Sequence, residues 1–297
     1  MTRFPFLTRL ALSLVAALAL VPAGAGWARP QAAPAVAAAP AAAAPAPVQI
    51  ELSAPDGRAI DVSVWKAPDE RAVVVFSHGY NGSPAAYRRI LSAWVEAGFT
   101  VVAPLHVDSL RHPLHAEVDG PAAFMTRLVD LAVVRGYAKA EHAGKPIVAA
   151  GHSFGSLMSA ISGGAITIAG PQGDPAVKAV VALSSAGDLE GVVTPDSYAG
   201  LAVPTLMITG DQDLVPRYVA DWRAHRSPFD RSPAGGKMLL VFEGGDHSLV
   251  RNADEADFGL MARASVAFME AHALGDAEAS RTLEDLTAPG GVTIERR

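Results

Sequence analysis

Six short apolar runs alternate with helix-length stretches between residues 72 and 245, and this alternation constrains the fold more than any other feature of the chain. "AVVVFSHG", "FTVVAPL", "PIVAAGHS", "VKAVVALSS", "PTLMITGDQD" and "KMLLVFEGG" are continuous rather than alternating apolar segments. That is the composition of parallel strands buried on both faces. Helices are expected at Pro84 to Ala97, Pro121 to Glu141, Phe154 to Ala169 and Val215 to His225. Strands joined through helices require right-handed crossovers, which predicts an α/β protein with a doubly wound, mostly parallel sheet. Ahead of the first run, "VQIELSAP" and "AIDVSVWKA" alternate apolar with polar residues around "PDGR" and predict an N-terminal antiparallel hairpin. No internal repeat is evident.

The chain has 297 residues, 50% hydrophobic and 18% charged, enough for a sizeable core. A net charge of -6 without a long Lys/Arg run gives no footprint for nucleic acid or an anionic membrane and suits a neutral or weakly polar substrate. With no cysteine, disulfides, thiolate metal sites and cysteine nucleophiles are excluded. Arg3 and Arg9 precede the apolar run Leu10 to Val21, and "PAGAGWA" follows. This reads as a secretory signal peptide over residues 1–28, cleaved after Ala25 or Ala28. The run is shorter than the roughly 20 residues of a membrane span, so no stable transmembrane anchor is expected after processing. Residues 29–48 form an Ala/Pro-rich linker, residues 49–297 the functional domain, and the expected location is periplasmic or secreted.

In an open α/β sheet, ligands bind outside the carboxyl ends of the strands. Four polar loops fall there: "SHGYNGS", "GHSFG", "GDQD" and "GGDHS". Ser153 stands between Gly151 and Gly155 at a strand-to-helix junction, where a sharp turn lifts a hydroxyl clear of the backbone. A nucleophilic hydroxyl needs a base, and the base an orienting acid. His247 follows the last apolar run, and Asp211 and Asp213 follow the one before it.

With these motifs, residues from about 49 to 275 resemble the α/β-hydrolase fold. "VVVFSHGYNGS", "GHSFG", "GDQDLVP" and "GGDHS" are similar to the dienelactone-hydrolase-like branch, which includes polyester hydrolases and platelet-activating-factor-acetylhydrolase-like esterases. The resemblance implies Ser153 as nucleophile, His247 as general base and Asp213 as its partner. It also implies an oxyanion hole from the backbone N–H groups of Tyr80 and Phe154, and no metal or organic cofactor. Residue 156 is serine where these families commonly carry another glycine. The function so implied is an exported carboxylic ester hydrolase working through an acyl-enzyme. An acyltransferase with the same triad, or a non-catalytic binding module, are the alternatives. Expected partners are a small-molecule, lipid or polymer ester, and no nucleic acid.

The remaining polar residues have quieter readings. His78 and His152 are expected to pack or hydrogen-bond beneath the loops, Asp246 to be solvated or capping, and Asp211 to accept amides in its turn. His106, Asp108, His112, His115, Glu117 and Asp119 lie in a loop without the spacing of a zinc site and are expected to line or gate the cleft. Only residues 185–202 separate the fourth and fifth parallel strands, too few for a large lid domain. An open, shallow cleft is the expectation.

Overall fold

Every residue of the first two apolar runs, β3 (Ala72–Ser77) and β4 (Phe99–Pro104), is buried in the computed structural model, which describes residues 46–297. The proposed signal peptide and all but the last three residues of the linker lie outside the described residues. Among the described residues, no helix is long and apolar enough to cross a membrane. The other strands of the sheet are β1 (Val48–Ser53), β2 (Ala59–Trp65), β5 (Ile147–Ser153), β8 (Val177–Ser185), β9 (Thr205–Gln212), β10 (Lys237–Asp246) and β11 (Val292–Arg296). A two-residue ribbon, β6 (Ile166–Thr167) with β7 (Gly170–Pro171), stands apart. The sheet order is β1-β2-β4-β3-β5-β8-β9-β10-β11. From β4 to β10 all neighbours are parallel. The β1/β2 hairpin, its junction with β4, and β11 on β10 are antiparallel.

Side chains alternate across a strand, so each parallel run supplies two cores. Val74, Phe76, Val101, Val148, Val181 and Ile208 face one core with α1 (Arg88–Glu96) and α6 (Glu255–Ala273). Val73, Val75, Val102, Ala149, Val180 and Met207 face the other with α2 (Gly120–Glu141) and α3 (Phe154–Ser162). Asp119 and Asp254 cap α2 and α6, each accepting amide hydrogens of the first turn. Helices on both faces of a mostly parallel sheet make this a doubly wound α/β fold.

Three segments differ from the sequence-based expectation. The first strand of the hairpin takes Val48, the last residue of the expected linker. The helix expected to reach Ala169 stops at Ser162, because Gly164 takes φ +118° and turns the chain into β6 and β7. No helix forms from Val215. Pro216 and Arg217, at φ +76°, make a turn closed by paired Val215 and Val219 backbone bonds, and only Trp222–Arg226 coil into a 3₁₀ turn before α4 (Ser227–Arg231). Short α5 (Leu249–Asn252) and α7 (Ala277–Glu284) complete the helices.

Candidate active site

Ser153 sits at the junction of β5 and α3 with φ 55° and ψ −121°, a left-handed conformation that a residue with a side chain adopts only where its surroundings enforce it. The enforcement comes from two glycines. A Cβ on Gly155 would lie 1.9 Å from the Ser77 carbonyl oxygen, and one on Gly151 would lie 2.3 Å from the Gly155 carbonyl oxygen. Helix α3 therefore packs directly on the β3 backbone. Ser156 does not disturb this approach, because its buried hydroxyl folds back to donate to the Ser153 carbonyl at 2.6 Å.

Three strand ends bring Ser153, His247 and Asp213 together. Ser153 Oγ lies 2.9 Å from His247 Nε2, and His247 Nδ1 lies 2.7 Å from Asp213 Oδ1. The other Asp213 oxygen accepts from the Thr209 hydroxyl at 2.8 Å. Burial works against the charge of this carboxylate, but hydrogen bonds from His225 and His247, with their charges, hold it well below the usual carboxylate range. The reach from β10 to β9 depends on close backbone contact. A Cβ on Gly210 would stand 2.0 Å from the Gly245 carbonyl oxygen, so the bulge of parallel β10 packs on β9 where Gly210 carries no side chain. Strand β9 continues past Gly210 to Gln212, and Asp213 begins the turn. Asp211 accepts from the Gly244 amide at 2.7 Å and points away from His247, while exposed Asp246 accepts from Ser248.

Phe154 is the first residue of α3, where amides have no intrahelical acceptor, and Tyr80 lines the same cavity as Ser153. Their rings meet edge to face at 6.1 Å. Behind both stands Arg127, fully buried in α2. Its guanidinium grips Asp108 through two 2.7 Å bonds, donates to the His78 carbonyl at 2.6 Å, and lies 4.7 Å from the Phe154 ring. Asp108 in turn accepts from the Asn81 amide. Burial alone would raise the Asp108 pKa, yet the Arg127 hydrogen bond and charge lower it to about 2. The loop around Asp108 thus braces the Tyr80 turn from behind. This corrects the expectation that residues 106–119 line the cleft, whose wall begins at Gly120 and Pro121. Arg127 had one signal in the sequence: it shares a helix face with Phe124 and Leu131, spaced three and four residues away, where a lone cation needs a buried partner.

Two histidines beside the site are neutral. His78 Nδ1 donates to the Gly79 carbonyl at 2.7 Å, while its Nε2 accepts from the His106 amide at 3.1 Å. His152 Nε2 donates to the His247 carbonyl at 2.9 Å, leaving Nδ1 to accept from the Tyr87 hydroxyl, also at 2.9 Å. Burial, then the neighbouring His247, lowers the His152 pKa to about 3. His225 is an unanticipated neighbour. The sequence places it at the end of an expected helix, yet it lies buried after the turn at Arg217, with Nε2 3.0 Å from Asp213 Oδ1. Asp213, His225 and His247 offer three ligand-type atoms within 4.8 Å of one another. Both imidazoles meet the same carboxylate oxygen at hydrogen-bond spacing, 2.7 Å from His247 Nδ1 and 3.0 Å from His225 Nε2.

Ser153 opens onto a cavity of about 440 Å³, walled by Tyr80, Phe124, Phe154, Leu189, Val192 and Val219. Met125, Ile168 and Tyr218 stand exposed at its rim. The 185–202 connection builds one wall rather than a lid, and the β6/β7 ribbon supplies Ile168. The walls come from segments far apart in sequence whose side chains converge only in three dimensions.

Strand order, elbow and loop placement together define the α/β-hydrolase fold. The model of the Hydrolase_4 family, described as serine aminopeptidase, S33, matches residues 68–191. This stretch holds the Tyr80 turn and Ser153 but ends before Asp213 and His247, and it supports a hydrolase. The crystal structure of TT1662 from Thermus thermophilus is similar in fold, with a TM-score of 0.52 and 18% identity over 75% of this chain and 97% of that chain. No curated protein matches the chain.

Proposed function

We propose that the chain is a serine hydrolase that cleaves carboxylic esters with apolar acyl groups, with Ser153, His247 and Asp213 as its catalytic triad. The observation that carries this reading is the Ser153, His247 and Asp213 relay, at 2.9 and 2.7 Å, at the floor of an apolar pocket. Ser153 Oγ attacks the acyl carbonyl as His247 Nε2 takes its proton, while Asp213 fixes the imidazole tautomer and stabilises the imidazolium. The Tyr80 and Phe154 amides donate to the oxyanion, and His247 returns the proton to the leaving alcohol. Water resolves the acyl-enzyme by the same route. At about 440 Å³ the pocket falls within the roughly 300 to 1,000 Å³ of small-molecule sites. Its walls are mainly apolar, with Glu190 as their one carboxylate, and this lining suits an acyl chain. We further propose that residues 1–28 direct export to the periplasm or beyond, with 29–48 as a spacer, and that the chain is of the dienelactone-hydrolase-like kind.

Labelling with a fluorophosphonate probe and peptide mapping tests the nucleophile, alongside a p-nitrophenyl ester series of increasing acyl length. Label is expected on Ser153, and Ser153→Ala should lower kcat on the order of 10⁴ to 10⁶-fold. An alanine variant within about tenfold of wild type would remove Ser153 from the chemistry. Product analysis with an added alcohol acceptor separates hydrolysis from acyl transfer. Absence of turnover on any ester would revive the binding-module alternative.

A further inference from the structure

We propose that His225 is a positively charged positioning residue that pins Asp213 from the side opposite His247, making the candidate triad a four-group array. The inference rests on the triad reading above only for its catalytic consequence. The charge itself follows from hydrogen bonding. The ring is 1% exposed, and both of its nitrogens meet acceptors. Nδ1 is hydrogen-bonded to the Ser185 carbonyl oxygen. Nε2 lies 2.8 Å from the Asp213 carbonyl oxygen and 3.0 Å from Asp213 Oδ1. None of these oxygens carries a hydrogen, since Asp213 is held ionised. A neutral imidazole has one N–H, so one nitrogen lone pair would face an oxygen lone pair away from water. Imidazolium, with two N–H donors, satisfies every contact.

The surroundings agree. Burial favours the neutral ring, but the hydrogen bond and charge of Asp213, then the Ser185 and Asp213 carbonyls, raise its pKa. The titratable groups facing it are Asp213, from the turn after β9, and His247, after β10, whose ring is nearly parallel at a centroid distance of 6.0 Å. The end of β8 offers only the Ser185 backbone. The charged neighbours in its own 3₁₀ turn are engaged elsewhere, Arg223 with Asp221 and Arg226 with Asp230 and Glu295.

Asp213 Oδ1 is therefore shared by two imidazoles, and Thr209 holds its other oxygen. The cation of His225 offsets the burial of a carboxylate with no exposed surface and fixes its direction toward His247. It also repels a positive charge that forms on the His247 ring, whose centroid lies 6.0 Å away.

Ring-nitrogen NMR of the full chain labelled with ¹⁵N-histidine tests the charge directly. At about pH 8, well above the ordinary histidine range, one histidine should still carry hydrogen on both nitrogens. The signal should persist in His247→Gln and disappear in His225→Gln. Single protonation of every histidine, or a signal lost in His247→Gln, overturns the proposal even if His225→Gln does not fold. The catalytic consequence is read from the pH dependence of kcat/KM on a soluble ester. Removing a cation while Asp213 stays in place moves the acidic limb of His225→Gln upward, by on the order of one pH unit. A merely structural loosening of Asp213 moves it downward, because the imidazolium then loses its carboxylate. An unmoved or lowered limb overturns the positioning role. Failure of the Ser153 labelling experiment would leave the NMR signal untouched, so the two readings fail separately.

Discussion

His152 Nε2 donates to the carbonyl oxygen of His247 at 2.9 Å, so the residue that precedes the candidate nucleophile in sequence holds the backbone of the candidate base. The two rings lie 4.7 Å apart, and Tyr87 completes the chain by accepting from the Gly79 amide, one residue before Tyr80. Replacing His152 with Phe keeps the ring volume and deletes both hydrogen bonds. The expected result is a kcat about 10 to 100-fold lower with KM little changed, because only the alignment of His247 is relaxed. Steady-state kinetics with circular dichroism as a folding control checks it.

The same ring makes the fold sensitive to acid. Unfolded, His152 binds a proton near its ordinary 6.5; folded, it resists protonation down to about 3. Its contribution to stability is complete above pH 6.5 and is lost as the pH falls toward 3. Urea midpoints measured across that window should decline, and His152→Phe should decline less steeply.

Arg127 and Asp108 form a pair with no exposed surface, and breaking it should cost more than replacing it. Arg127→Met leaves a buried unpaired carboxylate and is expected to lose about 3 to 5 kcal/mol. Adding Asp108→Leu should return part of that loss. Equilibrium unfolding of the single and double variants measures the difference, and ester turnover shows whether the Tyr80 turn keeps its place.

Two glycine-to-alanine changes should behave oppositely. Gly155→Ala forces a methyl to 1.9 Å from the Ser77 carbonyl, and a loss of roughly 4 kcal/mol or more, or failure to fold, is expected. Gly120→Ala, at the start of α2, meets nothing within 4 Å and should be neutral or stabilising by up to about 1 kcal/mol. Thermal melts of the pair decide it.

Asp213→Asn should lower kcat by roughly 10⁴-fold through the wrong histidine tautomer. Asp211→Asn, which alters the bonds from the Gly244 amide and the Gln212 side chain, should keep most activity and cost at most about 2 kcal/mol. The reverse pattern would reassign the acid.

The six parallel strands were legible because burial on both faces leaves an uninterrupted apolar run, a signal carried by each strand alone. The β1/β2 hairpin was legible for the opposite reason, since its alternation reports one buried face. Strand β11 passed unnoticed because an edge strand of five residues, half exposed, has too little of either pattern. Ser153, Asp213 and His247 could be picked out from loops at strand ends. Their neighbours could not: His225 and Ile168 act across distances in sequence that no local pattern spans. The turn at Arg217 likewise needs a left-handed residue that nothing in "VPRYV" announces.

The packing of Gly210 on Gly245 gives the site a vulnerability unlike that of its reacting groups. Acid and base are brought within reach by the absence of a methyl group on Gly210, three residues before Asp213, where the chain packs on Gly245, two residues before His247. An inactivating change there would remove no functional group and would leave the pocket lining intact. A variant library restricted to polar or pocket-facing positions would pass over it. Diversity aimed at altered substrate preference should therefore hold Gly210 fixed, as firmly as the serine itself.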